Sequence, residues 1–171
     1  QIRMKAIIYT SNTGSTAEYA QLLGKELNLP VHSLQQAKNK VPAGSEIIYL
    51  GWIMAGEIKG YKEAAKLYKV RAVCGVGMGQ TGTQLKEVRD KNAIPQRIPL
   101  FTLQGNFDVK KLHGVYRFMM NVMVKTAGKG LANKTDRTPE EDDMLDMMVN
   151  GGKRVSLQNL KAVTEWYKSV Y

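Results

Sequence analysis

Apolar positions along the chain fall into two rhythms. Met4–Tyr9, Glu46–Leu50 (EIIYL), Val70–Val76 (VRAVCGV) and Pro99–Gly105 (PLFTLQG) are apolar at most positions, as strands buried on both faces of a parallel sheet must be. Between them Gly14–Leu27 carries Ala17, Ala20, Leu23 and Leu27 at helical spacing, and Tyr61–Tyr68 and Leu85–Arg89 read as shorter helices. A further strand opens at Pro30-Val31, so the chain begins with a β–α–β unit. The pattern predicts a doubly wound α/β fold around a five-stranded parallel sheet, each strand leaving through a glycine-containing loop. After Gly105 only helical segments follow: Val109–Thr126, Pro139–Val149 and Leu157–Tyr171. A minimal sheet of this kind needs one closing helix. The stretch at about 107–150 therefore reads as a helical addition inside one domain spanning 1–171.

Composition narrows the class. A chain of 171 residues, 43% hydrophobic and 23% charged, suits one folded domain and excludes global disorder, collagen or coiled coil. Cys74 is the single cysteine and lies in an apolar strand, so a buried, inert thiol in a reducing cytoplasmic setting is expected. No apolar run is long enough to span a bilayer and no signal-peptide pattern opens the chain, in which Met4 is a candidate natural start after Gln1–Arg3. The expected place is the cytoplasm, peripheral at most to the inner membrane face.

The net charge of +10 favours polyanionic partners: nucleic acid, an anionic membrane surface or an acidic protein. Its distribution is uneven. Lys110, Lys111, Arg117, Lys125, Lys129, Lys134 and Arg137 face only Asp108 and Asp136 across 106–137, whereas Glu140, Glu141, Asp142, Asp143 and Asp146 follow without a base. The acidic run after Thr138-Pro139 reads as a helix N-terminus, where carboxylates are favourable, and no metal-ligand spacing accompanies it.

Chemistry concentrates in the first strand-to-helix turn, Tyr9-Thr10-Ser11-Asn12-Thr13-Gly14-Ser15-Thr16. Unpaired amides and the positive dipole end of the helix hold an anion there without Lys or Arg. Ser11, Thr13, Ser15 and Thr16 add hydroxyl donors, and Gly14 admits close backbone approach. Ordinary helix capping by the same residues is the alternative reading. With neither a Walker lysine nor three spaced glycines, the turn favours a small phosphate monoester over a nucleoside triphosphate or NAD.

From Ala6 to Ala20 this segment resembles the FMN phosphate loop of flavodoxins. The resemblance implies a flavodoxin-like fold, FMN as cofactor, and Ser11, Asn12, Thr13, Gly14, Ser15 and Thr16 around the phosphate. It places Trp52, Ile53, Met54, Ala55 and Gly56, in a loop starting at Gly51, on one face of the flavin, and Gly75, Gly77, Met78 and Gly79 of the Gly75–Gly82 loop on the other. The acidic and aromatic residues that many flavodoxins carry in that second loop are absent here. Residues Phe107–Gly128 and the final helix are similar to the menaquinone-dependent protoporphyrinogen oxidase branch. That likeness implies electron or hydride transfer through flavin, with a hydrophobic substrate such as protoporphyrinogen and a quinone acceptor. A pure electron carrier is the rival within this class. A basic module that docks an acidic partner or polyanion without redox turnover is the rival outside it; no nucleic-acid motif is present.

On a helical wheel, Leu112, Val115, Tyr116, Phe118, Met119, Met120, Val122, Met123 and Val124 span about 240°, against the roughly 100° that sheet packing requires. The surplus of Val109–Thr126 is covered either by Met144, Leu145, Met147 and Met148, or by a quinone, porphyrin or membrane surface. His32 and His113 carry no expected acid–base role, and no catalytic side chain is assigned.

Overall fold

Strands that are apolar at consecutive positions point alternate side chains to opposite faces, and here both faces are covered. The computed structural model describes residues 3–107 and 114–171, without the side chains of 114–117, 119, 120 and 123. Its elements are β1 (Ala6–Thr10), α1 (Ser15–Leu27), β2 (Val31–Ser33), α2 (Leu34–Lys40), β3 (Glu46–Met54), β4 (Glu57–Ile58), α3 (Tyr61–Leu67), β5 (Lys69–Gly77), α4 (Leu85–Asn92), β6 (Leu100–Gln104), α5 (Gly114–Asn133), α6 (Pro139–Asn150) and α7 (Lys161–Val170). A 3-10 turn at Leu157–Leu160 leads into α7. The sheet runs β2-β1-β3-β5-β6, parallel throughout, with β4 antiparallel to β3. This is the expected flavodoxin-like doubly wound architecture.

Ile8, Ile47, Tyr49 and Val73 face α2, α3 and α4 through Leu34, Ala37, Tyr61, Ala64 and Val88. Their chain neighbours Ile7, Ile48, Ala72 and Cys74 face Tyr19, Ala20 and Leu23 of α1 and Leu160 and Val163 at the C-terminus. Burial on both faces is the physical reason these strands lack polar alternation.

Three expectations need correction. The segment from Gly51 is not a loop: β3 continues to Met54, where Ile53 and Met54 pair with Ile58 and Glu57. The only connection is Ala55-Gly56, both at positive φ (51° and 81°), as a two-residue hairpin of the primed type demands. The sheet thereby gains a sixth, antiparallel strand that periodicity could not show in two residues. Second, α2 was absent from the pattern, because it has seven residues and only Leu34 and Ala37 buried; Ser33 Oγ caps it by accepting from Gln36 N at 3.3 Å. Third, α5 does not stop at Thr126 but runs through Gly128 and Gly130 to Asn133. Helix-interior glycines each cost about 1 kcal/mol, yet a Cβ at Gly128 would stand 3.7 Å from Met148 Sδ, so the glycine lies against α6. The expected helix start at Val109, and residues 108–113 with Lys110, Lys111, Leu112 and His113, lie outside the described residues.

One buried side chain fixes the hairpin to the fold. Asn92, at the end of α4, accepts from Ile58 N at 2.8 Å and donates to Gly56 O at 2.9 Å and Val88 O at 2.8 Å. Replacement by Ala removes the partner of the Ile58 amide and of the Gly56 carbonyl, whereas Val88 O keeps its helical bond, so Asn92→Ala should lower unfolding free energy by about 2 to 4 kcal/mol in urea titrations. Cys74 gives a pH prediction. Burial pushes its thiol up from 9.0 to about 12. Between these values the unfolded chain releases a proton that the folded protein keeps, so stability falls as pH rises, by about 1.4 kcal/mol per unit. Urea midpoints measured above pH 9 should fall more steeply in the parent than in Cys74→Ala.

Candidate functional site

In a doubly wound sheet the ligand crevice opens at the carboxyl ends of the strands, where the winding direction reverses. Here the reversal lies between β1 and β3. A cavity of about 420 Å³ occupies that end, within the range of small-molecule sites. Its walls are Asn12, Thr13, Ser15 and Thr16 after β1, Trp52–Gly56 of the hairpin, and Val76–Gln80 with Thr83 and Gln84 after β5. Thr102, Leu103, Gly105, Asn106 and Phe107 close it at β6, and Ala127, Leu131, Met144 and Met148 of α5 and α6 complete it.

Most of the residues singled out in the sequence meet at this cavity; three do not. Ser11 and Gly14 line a neighbouring cavity that shares Asn12 and is otherwise formed by Tyr9, Thr10, Ala17 and Ser33–Gln35. Gly75 lies inside β5, paired with Gly51 and Thr102, where an added Cβ would stand 2.8 Å from Ile53 Cδ1. Close strand packing, not cavity access, requires that glycine.

The β1–α1 turn opens the N-terminus of α1 toward the cavity. Gly14 holds φ at 109°, its N–H donates to Ser11 Oγ at 3.2 Å, and the first helical bond, Glu18 N to Gly14 O, forms at 2.9 Å. The amides preceding that bond have no intrahelical acceptor. Thr16 is 1% exposed, and Asn12 Oδ1 is buried without a hydrogen-bond partner. An unpaired buried acceptor costs about 1 to 3 kcal/mol, an expense that a bound hydroxyl donor would remove.

The opposite wall is held in place before any ligand arrives. Gly82 N donates to Thr102 O and Oγ1, Thr102 Oγ1 donates to Thr83 O, and Gln104 N donates to Thr81 Oγ1. Gln104 Nε2 donates to Met78 O at 3.1 Å and to Asp143 Oδ2 at 2.7 Å, which joins the loop after β5 to α6. Trp52 is half-buried and packs with Met78 and Val124 against Met54, Phe107 and Met147, with Lys59 Nζ 6.0 Å from its ring centroid.

The helical addition leaves and rejoins the sheet at one point. Phe107 and Gly152 exchange main-chain bonds of 2.8 and 3.1 Å. Asn106 N donates to Ser15 Oγ at 2.9 Å, and Asn106 Oδ1 accepts from Arg154 N at 2.6 Å and Val155 N at 3.0 Å. Arg154 also reaches Asp143 and Asp146 at 3.2 and 3.4 Å. The acidic run caps α6 as expected, through a reciprocal Thr138–Glu141 pair. Lys134 and Arg137 bind Glu141 and Asp142, so the basic stretch is smaller than the sequence suggests.

Among the described residues the cavity wall contains no Asp, Glu, His, Lys, Arg, Cys or Tyr. Among the described residues this wall offers an anion only amides and hydroxyls, beside apolar surface. The sequence reading missed Gln104, Asn106 and Phe107 as well as the four helical residues; Ala127–Leu131 and Met144–Met148 are both i,i+4 pairs, the one signal available for them. A family model described as Flavodoxin domain matches residues 6–134, a span that ends as α5 does. No curated protein and no solved structure matches the chain.

If Asn106 anchors the addition, Asn106→Ala should speed hydrogen exchange at Arg154, Val155 and through α6, at a cost of about 1 to 3 kcal/mol from the two unpaired amides. Exchange in β1 and β3 should stay unchanged.

Proposed function

The chain belongs to the flavodoxin domain family, and from that premise we propose that it is a redox protein that binds FMN in the cavity at the carboxyl end of the sheet. The observation that carries this reading is the uncharged wall, with an amide and hydroxyl cradle at one end and apolar side chains at the other. Bound FMN supplies electron or hydride transfer, which no side chain of the wall provides.

The chain's own residues bind, orient and exclude water. Thr13, Ser15 and Thr16, with the first amides of α1, take the phosphate. Asn12 Oδ1 accepts from a ribityl hydroxyl, which satisfies the orphaned acceptor. Trp52 and Met54 offer flat and polarizable surface from the hairpin, and Gly77–Gly79 let main chain approach from the other side. Ala127, Leu131, Met144 and Met148 close the cavity with apolar groups. That wall suits a flat hydrophobic substrate, and with the likeness of the C-terminal third it supports oxidation of a protoporphyrinogen-type molecule with a quinone acceptor.

Thr13→Ala should weaken FMN binding by about 1 to 3 kcal/mol, the worth of a charge-assisted bond, in a flavin-fluorescence titration. FMN should also quench Trp52 emission. Unchanged affinity in Thr13→Ala and in Thr16→Ala would remove the phosphate assignment.

A further inference from the structure

Helix α5 presents two opposite faces. At 3.6 residues per turn, Val124, Ala127 and Leu131 share one side, where Val124 packs on the Met54–Phe107–Met147 cluster and the other two line the cavity. On the far side Phe118, Val122, Lys125 and Lys129 form one stripe about 17 Å long at 1.5 Å per residue. Phe118 is 69% exposed and Val122 50%, and both lysines are exposed.

The charge of this stripe is unbalanced. α5 contains no Asp or Glu. Four of the five acids of α6 are engaged elsewhere, Glu141 by Lys134, Asp142 by Arg137, and Asp143 and Asp146 by Arg154; the fifth, Glu140, stands exposed at the start of the helix. Among the described residues Lys125 and Lys129 have no ion pair, and the sequence adds Arg117, Lys110 and Lys111 just upstream.

We propose that this outer face of α5 docks the protein on an anionic lipid surface, with Phe118 and Val122 entering the headgroup boundary and Lys125 and Lys129 meeting phosphates. Exposed aromatic and aliphatic groups in line with unpaired cations are what an interfacial helix needs. An aromatic ring alone could also stack on nucleobases, but Val122 in line with Phe118 suits an apolar boundary, and the two lysines suit the anionic headgroups above it. Among the described residues no helix is long and apolar enough to cross a membrane, so the contact is peripheral.

The test is co-sedimentation of the full chain with phosphatidylglycerol vesicles and with phosphatidylcholine vesicles, at low and high salt. The proposal expects binding to the first alone, lost as salt rises. The double variants Phe118→Ser with Val122→Ser, and Lys125→Ala with Lys129→Ala, should each bind at least fivefold more weakly, with thermal midpoint and FMN affinity unchanged. Absence of binding by the parent at low salt overturns it. So does binding that neither double variant alters, or tighter retention on polyglutamate or duplex DNA with the Phe118 and Val122 changes without effect. FMN titration of the same samples reports on the cofactor assignment separately.

Discussion

Asn106 makes three hydrogen bonds where the chain leaves the sheet: its N–H to Ser15 Oγ, and its side-chain carbonyl to the amides of Arg154 and Val155. The Phe107–Gly152 pair lies beside them. A long insertion adds little closure entropy once its ends are joined, because that cost grows only logarithmically with length. Its placement is another matter. Beyond this root, α6 is held by the buried Met147 in the Met54–Phe107 cluster and by Asp143, which Gln104 and Arg154 bind, so the position of Met144 and Met148 over the cavity depends on one apolar anchor and a few polar contacts. One contact of the root, Asn106 N to Ser15 Oγ, reaches the β1–α1 turn. A ligand bound at that turn would therefore share atoms with the placement of the helical cover.

How much of this was legible follows from length and burial. β1, β3 and β5 announced themselves because both faces are covered and nearly every residue had to be apolar. The β3–β4 hairpin did not, since β4 has two residues and its turn places Ala, not Asn or Gly, first at positive φ. Thr13, Ser15 and Thr16 were readable from residue type and from the strand-to-helix position. Gln104 and Asn106 were not: their roles depend on Asp143, Arg154 and Val155, dozens of positions away, and no local pattern encodes such a pairing. Charge misled for the same reason. Lys134 and Arg137 look like part of a basic patch until the capped start of α6 brings Glu141 and Asp142 to them.

The breadth of the apolar arc on α5 has a spatial explanation at the residues described. A helix with a single buried stripe needs roughly 100° of apolar surface. α5 divides its apolar residues between an inner side, where Val124 and Leu131 meet the hairpin cluster and the cavity, and an outer side, where Phe118 and Val122 stand in solvent. Internal packing against α6 accounts for the first group alone. Phe118 was the residue that distinguished the two explanations, and its exposure leaves part of the arc without an internal partner.

Charge and cavity are arranged in opposite ways, and the combination has a physical logic. The chain carries +10, while the described cavity wall carries no ionisable group. The net charge draws anions in from a distance, limited by a screening length of about 8 to 10 Å in salt. Close to the site, the groups an anion would meet are amides and hydroxyls, whose dipoles are fixed by α1 and gain strength beside apolar walls that exclude water. A lysine in that wall would bind a phosphate more tightly, yet it would have to surrender its own hydration on becoming covered by Met144 and Met148. Neutral donors avoid most of that desolvation. A cavity roofed by methionines can thus hold an anionic tail at one end and stay apolar at the other.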